Sequence, residues 1–163
     1  MVAFEPMLST AGHVAQTRLL NHFSQLTIIP MALGNPETLK SDQLPTVRGM
    51  VDSTIQNRGW PETILVARLD WLWPQICGSR QQIDGVKIDV QGMEIEALRG
   101  MIELLKLHRP KLVVEVHRGV SREELMELIE AAGYSRRAIP IEPVDGEIEP
   151  QYIDDHSYAF ANG

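Results

Sequence analysis

Val86-Lys87-Ile88-Asp89-Val90-Gln91-Gly92-Met93-Glu94 is the stretch that decides the fold. Ile83, Val86, Ile88 and Val90 recur near strand spacing, and Gly92 follows directly. Ile95, Leu98, Ile102 and Leu105 then fall three and four residues apart, the period of a helix with one apolar face. Pro110 closes that helix, because proline disfavours helical backbone in the residue before it. Lys111-Leu112-Val113-Val114-Glu115-Val116-His117 has a continuous apolar centre, which suits a strand buried on both faces of a parallel sheet. The stretch therefore opens a strand–helix–strand unit.

The pattern continues downstream. Ser121 and Glu124 form a capping box, each side chain serving an orphan backbone donor of a new helix. Leu125, Leu128, Ile129 and Ala132 make its apolar stripe, and Gly133 suits the left-handed residue after it. Ala138–Ile141 and Ser157–Ala161 read as closing strands around an acidic loop at Asp145-Gly146-Glu147. Upstream, Val2-Ala3-Phe4 is a short strand ending at Glu5-Pro6. A helix is expected over Thr10–Phe23, a strand over Leu26–Ala32 and another over Ile64–Leu69. Residues 35–62, interrupted by proline and glycine, read as an excursion with little regular structure. Alternating strands and helices give an α/β fold with a mostly parallel sheet, in one domain over residues 1–163.

Composition narrows the function. Apolar residues make up 44% and charged residues 23% of the 163, as in a globular protein with a real core. No apolar run approaches the roughly eighteen residues of a membrane span, and the N-terminus lacks the basic and apolar regions of a signal peptide. One cysteine, Cys77, forms no internal disulfide, which fits a cytoplasmic location. With a net charge of −7 and no basic block, nucleic acid is not an expected partner.

Ligands of open parallel sheets bind beyond the C-terminal strand ends. That rule selects Glu5, Ala32 with Asn35, Asp89 with Gln91 and Glu94, and Glu115 with His117. Glu5 can accept hydrogen bonds from both hydroxyls of a ribose. Asp89 can act as a base, orient a hydroxyl or ligate a metal. For Asp89 and Glu94 the plain alternative is an acid favoured at a helix N-terminus. His117 has the chemistry of a general base, and the alternative is a strand-end histidine bonded to a neighbouring loop. His13, His22, His108 and His156 show no metal-ligand spacing and read as surface residues; no metal site is expected. Trp60, Trp71 and Trp73 are expected in the core.

In this order, these residues resemble the FkbM-type methyltransferases. The match is carried by Val86 to Glu94, followed by Glu96, Leu98, Arg99 and Gly100, then by Arg109-Pro110 and Glu115-Val116-His117. Ala3-Phe4-Glu5-Pro6, Ala32-Leu33-Gly34 and Arg68-Leu69-Asp70 resemble the end of the family's second strand, the turn after its third strand and the segment before its fourth. Gln91 stands where the family usually has glutamate. The resemblance implies a Rossmann-like class I methyltransferase sheet with an antiparallel closing strand. It places the family's first strand, glycine-rich turn and first helix upstream of Met1.

It also implies S-adenosylmethionine as methyl donor and a hydroxyl on a sugar, glycolipid or natural product as acceptor. Glu5, Ala32 and Asp89 then fall on the cofactor side, and Asp89, Glu94 and His117 on the acceptor side. The strands at Val2–Phe4 and Val86–Ile88 would each present an open edge, so direct pairing of the two, a covering second copy or aggregation is expected. Two other readings use the same residues. One is a degenerate, non-catalytic methyltransferase-like domain that binds a ligand or partner. The other is a nicotinamide-dependent dehydrogenase, disfavoured by the antiparallel closing strand and the Asp89 motif.

Overall fold

Glu5-Pro6 sets the first turn of the structure, since a residue before proline is held extended. The computed structural model describes residues 1–47, 50–51, 60–78, 82–145, 147 and 150–163. The chain divides into two compact units, Met1–Ala67 and Arg68–Gly163.

In the first unit β1 (Val2–Phe4) leads to α1 (Leu8–Leu20) and β2 (Thr27–Ile29), and β1 and β2 pair in parallel. No side chain of the N-cap residue Met7 caps α1. One neighbouring and one distant carboxylate serve its orphan donors instead. Glu5 Oε1 accepts from the Met7 N–H at 2.9 Å and Glu62 Oε1 from the Leu8 N–H at 2.8 Å. That is why the helix begins two residues before the expected Thr10. Pro30 interrupts the expected strand Leu26–Ala32. Ala32–Leu33 forms a separate strand, β3, so Ala32 opens a two-residue strand and does not stand at a C-terminal strand end.

Residues 35–62 are the largest correction. β4 (Lys40–Val47), β5 (Met50–Val51) and β6 (Trp60–Ala67) form, with β3, a sheet of order β3-β6-β4-β5. β4 and β6 pair antiparallel from Lys40↔Val66 to Thr46↔Trp60, with Pro45 facing Pro61. Both prolines thus fall at one rung, and the missing donors that argue against a strand coincide there. Parts of the expected excursion, residues 48–49 and 52–59, lie outside the described residues.

In the second unit α2 (Leu69–Ile76) precedes β7 (Gly85–Ile88). The expected single helix after Gly92 is two, α3 (Glu94–Arg99) and α4 (Ile102–His108). Asp70 makes the break. Its N–H donates to the Gly100 carbonyl at 3.0 Å, and its Oδ1 accepts from the Leu104 N–H at 3.1 Å. A remote aspartate therefore caps α4, which no local reading of the helix reveals.

β8 (Lys111–Val116) runs parallel to β7, from Gly85↔Lys111 to Ile88↔Val114. α5 (Arg122–Ala131) follows, with Ser121 Oγ accepting from the Glu124 N–H. The reciprocal half of the capping box is replaced, because the Glu124 carboxylate meets Arg99. Gly133 takes the expected positive φ of 93°. β9 (Tyr134–Pro140) and β10 (His156–Asn162) complete a sheet of order β7-β8-β10-β9, in which β10 is antiparallel to both neighbours. The closing strand is thus antiparallel as expected. Among the described residues, only β1–β2, β3–β6 and β7–β8 pair in parallel. The expected mostly parallel sheet is therefore corrected to sheets of both kinds.

Leu98, Leu105, Leu112, Val114, Val116, Leu125, Ile129 and Tyr158 are the buried centre of this unit. β8 alternates between buried and half-buried positions instead of burying both faces. Its half-buried positions are Val113 and Glu115, and that face matters for function. Trp71 is exposed, with the Arg68 guanidinium over its ring, so it is not the core residue expected; the Trp60 side chain lies outside the described residues.

Two substitutions separate these contributions. Asp70→Ala should cost about 1 kcal/mol, the usual worth of a helix cap. Leu125→Ala should cost about 2–5 kcal/mol, while the 74% exposed Leu107→Ala stays within about 0.5 kcal/mol. Urea denaturation checks the ranking, and equal midpoints for all three would contradict it.

Candidate functional site

Side chains two residues apart on a strand share a face. Lys87 and Asp89 are so related at the end of β7, and Val113, Glu115 and His117 along and beyond β8. Lys87 pairs with Val113 across the two parallel strands, so extending the register by one rung sets Asp89 beside Glu115. Strand period and register alone bring Lys87, Asp89, Glu115 and His117 together.

The turn after β7 adds two more groups. Gln91 and Gly92 both take positive φ, 52° and 96°, and bring the chain to the start of α3. A Cβ on Gly92 would meet nothing within 4 Å, so it is the backbone angle that calls for glycine there. Glu94, the first residue of α3, is fully buried. Its Oε1 accepts from the Gly92 N–H at 3.1 Å and lies 2.5 Å from His117 Nδ1. Its Oε2 has no hydrogen-bond partner among the described residues.

A carboxylate only accepts, so His117 presents its Nδ1–H to Glu94. The other ring nitrogen then carries the lone pair, and the Gln91 amide meets it at 3.0 Å. Asp89 Oδ1 and Glu115 Oε1 stand 3.7 and 3.6 Å from the same nitrogen. His117 is itself 7% exposed, and its carbonyl is held by Arg122 at 3.0 Å.

Lys87 bridges the two strand-end carboxylates on their other oxygens. Its Nζ lies 2.8 Å from Asp89 Oδ2 and 3.5 Å from Glu115 Oε2, and Ser157 Oγ donates to the latter at 3.3 Å. Burial works to raise the Asp89 carboxyl, but the hydrogen bond and charge of Lys87 outweigh it and hold the group below the usual range. The hydrogen bond to Asp89 in turn raises the Lys87 ammonium against the opposing effect of burial.

Asp89, Glu94 and His117, singled out in the sequence, therefore meet in the second unit. Glu115 belongs with them, a place the strand alternation signals. Lys87 escaped the sequence reading, although its spacing to Asp89 was the available sign. In the first unit, Glu5 follows β1 and spends one oxygen on Met7, while the N–H of Gly34, next after β3, donates to the Ala67 carbonyl at 3.0 Å. His13 and His22 are exposed, as expected. Among the described residues, no helix is long and apolar enough to cross a membrane.

In open α/β sheets the C-terminal ends of adjacent parallel strands are the edge where ligands commonly bind, and the titratable groups of this unit lie at that edge. The family follows from comparison. The Methyltransferase FkbM domain matches residues 2–136, and the chain belongs to that family. The chain is also similar to the crystal structure of methyltransferase FkbM from Methylobacillus flagellatus KT, with a TM-score of 0.58 and 18% identity. That likeness covers 97% of this chain and 36% of the other, so this chain spans about a third of its length. No curated protein matches the sequence.

The depressed Asp89 value fixes the sign of its pH effect. With the folded value below the unfolded one of about 3.9, its stabilisation is present above that pH and is lost as pH falls through the folded value. Asp89→Asn should therefore flatten the acid limb of a stability–pH curve below about pH 4. An unchanged limb would contradict the Lys87–Asp89 pairing.

Proposed function

We propose that the chain is an S-adenosylmethionine-dependent methyltransferase domain that methylates a hydroxyl on a sugar, glycolipid or natural product. Family membership supports methyl transfer. The observation that supports the acceptor side is the buried Glu94–His117 pair beside Asp89. A Rossmann-like arrangement, with ligands at the C-terminal strand ends, is part of the same reading.

The residues present fit the cofactor's chemistry. Glu5 is a carboxylate pinned through one oxygen at the end of a parallel strand, the group that two ribose hydroxyls take as acceptor. S-adenosylmethionine, when bound, supplies a methyl on positively charged sulfur. The chain's own residues have two tasks: to aim the acceptor oxygen and to ease the loss of its proton. Glu94 locks the ring of His117, so the Nε2 lone pair and the Asp89 carboxylate face the same space. An electron-rich wall of that kind orients a hydroxyl and stabilises it as its proton departs.

S-adenosylhomocysteine titration by calorimetry, combined with transfer of labelled methyl to a panel of sugar and natural-product hydroxyls, tests this. His117→Ala should lower turnover roughly a hundredfold or more while leaving S-adenosylhomocysteine affinity unchanged. Glu5→Gln should weaken that affinity. Binding without turnover on any acceptor would favour the ligand-binding module instead, and full activity in His117→Ala would remove the assigned acceptor side.

A further inference from the structure

Three side chains with electron pairs to donate point at one another in the second unit. They are Asp89 Oδ1, Glu115 Oε1 and His117 Nε2, all within 4.8 Å of each other. The imidazole proton is committed to Glu94 on the opposite side of the ring. Lys87 and Ser157 hold the far oxygens of the two carboxylates, Oδ2 and Oε2. The near oxygens are the ones turned to Nε2, at 3.7 and 3.6 Å. Such a trio repels itself unless a positive charge sits among its members.

The two spacings about Nε2, 3.7 and 3.6 Å, suit a metal ion. Bonds of about 2.0–2.3 Å from one centre hold neighbouring ligands roughly 3.0–3.7 Å apart, between octahedral and tetrahedral geometry. A second, independent observation lies behind the ring. Glu94 is fully buried, carries an oxygen without a hydrogen-bond partner among the described residues, and bonds the nitrogen of His117 that would face away from an ion. A carboxylate in that position fixes the tautomer and raises the basicity of metal-bound imidazoles. Among the described residues, three carboxyl groups, Asp89, Glu94 and Glu115, stand around one ring against the ammonium of Lys87. The charge balance leaves room for a divalent cation.

We propose that Asp89, Glu115 and His117 form a seat for one divalent cation, with Glu94 orienting the histidine. The donor set, two carboxylate oxygens and one imidazole nitrogen, favours Mn²⁺ over Ca²⁺ or Mg²⁺, which take oxygen ligands. Lys87 is the resident counter-ion of the seat. Its side chain is 56% exposed and free to withdraw into solvent as the cation enters. Gln91 releases the lone pair by rotating its amide, whose oxygen is a further ligand of the right kind.

The seat shares Asp89 and His117 with the proposed acceptor side and deepens that reading. A cation here gives the acceptor hydroxyl a positive neighbour as its proton leaves for solvent.

Titration of the whole chain with Mn²⁺, followed by the electron paramagnetic resonance signal of the free ion, tests the seat without any methyl transfer. One ion should bind per chain. Asp89→Asn and Glu115→Gln should each weaken binding at least about tenfold, and Glu94→Gln about tenfold through loss of the oriented ring. Lys87→Met should strengthen it, because the competing ammonium is gone. A fold-stabilising ion pair alone would give no such gain. Near-ultraviolet circular dichroism confirms that each variant is folded.

Absence of binding at millimolar Mn²⁺ by the folded chain would overturn the proposal, as would binding indifferent to these substitutions. A parallel S-adenosylhomocysteine titration keeps the two readings apart. Cofactor binding without Mn²⁺ binding removes the cation and leaves the methyltransferase standing. Mn²⁺ binding without cofactor binding supports the seat alone.

Discussion

The hydrogen bond between Glu94 and His117 is the constraint on which the candidate site depends. It joins a buried carboxylate at the start of α3 to a buried imidazole just beyond β8. Burying either group without a partner is costly, so the pair ties the turn after β7 to the end of the next strand. It also decides which face of the ring is chemically available. With Nδ1–H committed, Nε2 has Gln91, Asp89 and Glu115 for company among the described residues. Topology sets this company, since parallel pairing of β7 and β8 delivers the acids to the side of the ring away from Glu94.

Much of this was legible because it is local or periodic. Val86 to Glu94 reads as strand, turn and helix start, and Leu112 to His117 as a strand ending in polar residues. The period of two puts Glu115 and His117 on one face, and the turn glycine at 92 marks where the chain reverses direction. Asp89, Glu94 and His117 could be named on those grounds. Their mutual bonds could not, because these depend on which strands pair and in what register.

The misreadings have physical causes of the same kind. The split of α3 from α4 is made by Asp70, more than thirty residues away, whose carboxylate takes the Leu104 N–H. The start of α1 is set partly by Glu62, which acts over a separation of 54 residues. The strands between Lys40 and Ala67 defied composition because two prolines share one rung. In each case tertiary pairing supplied what the local sequence withheld. Gln91 differs from these. Its left-handed backbone is an uncommon conformation for a residue with a side chain, and it carries the amide to His117. Strain of this sort collects where geometry serves chemistry.

The site depends on the state of the His117 ring, and nitrogen-detected nuclear magnetic resonance reads it directly. Long-range proton–nitrogen correlation of the neutral ring should place the proton on Nδ1 and leave Nε2 bare, with that preference lost in Glu94→Gln. A neutral ring protonated on Nε2, or one unaffected by Glu94→Gln, would contradict the orienting bond and with it the site built upon it.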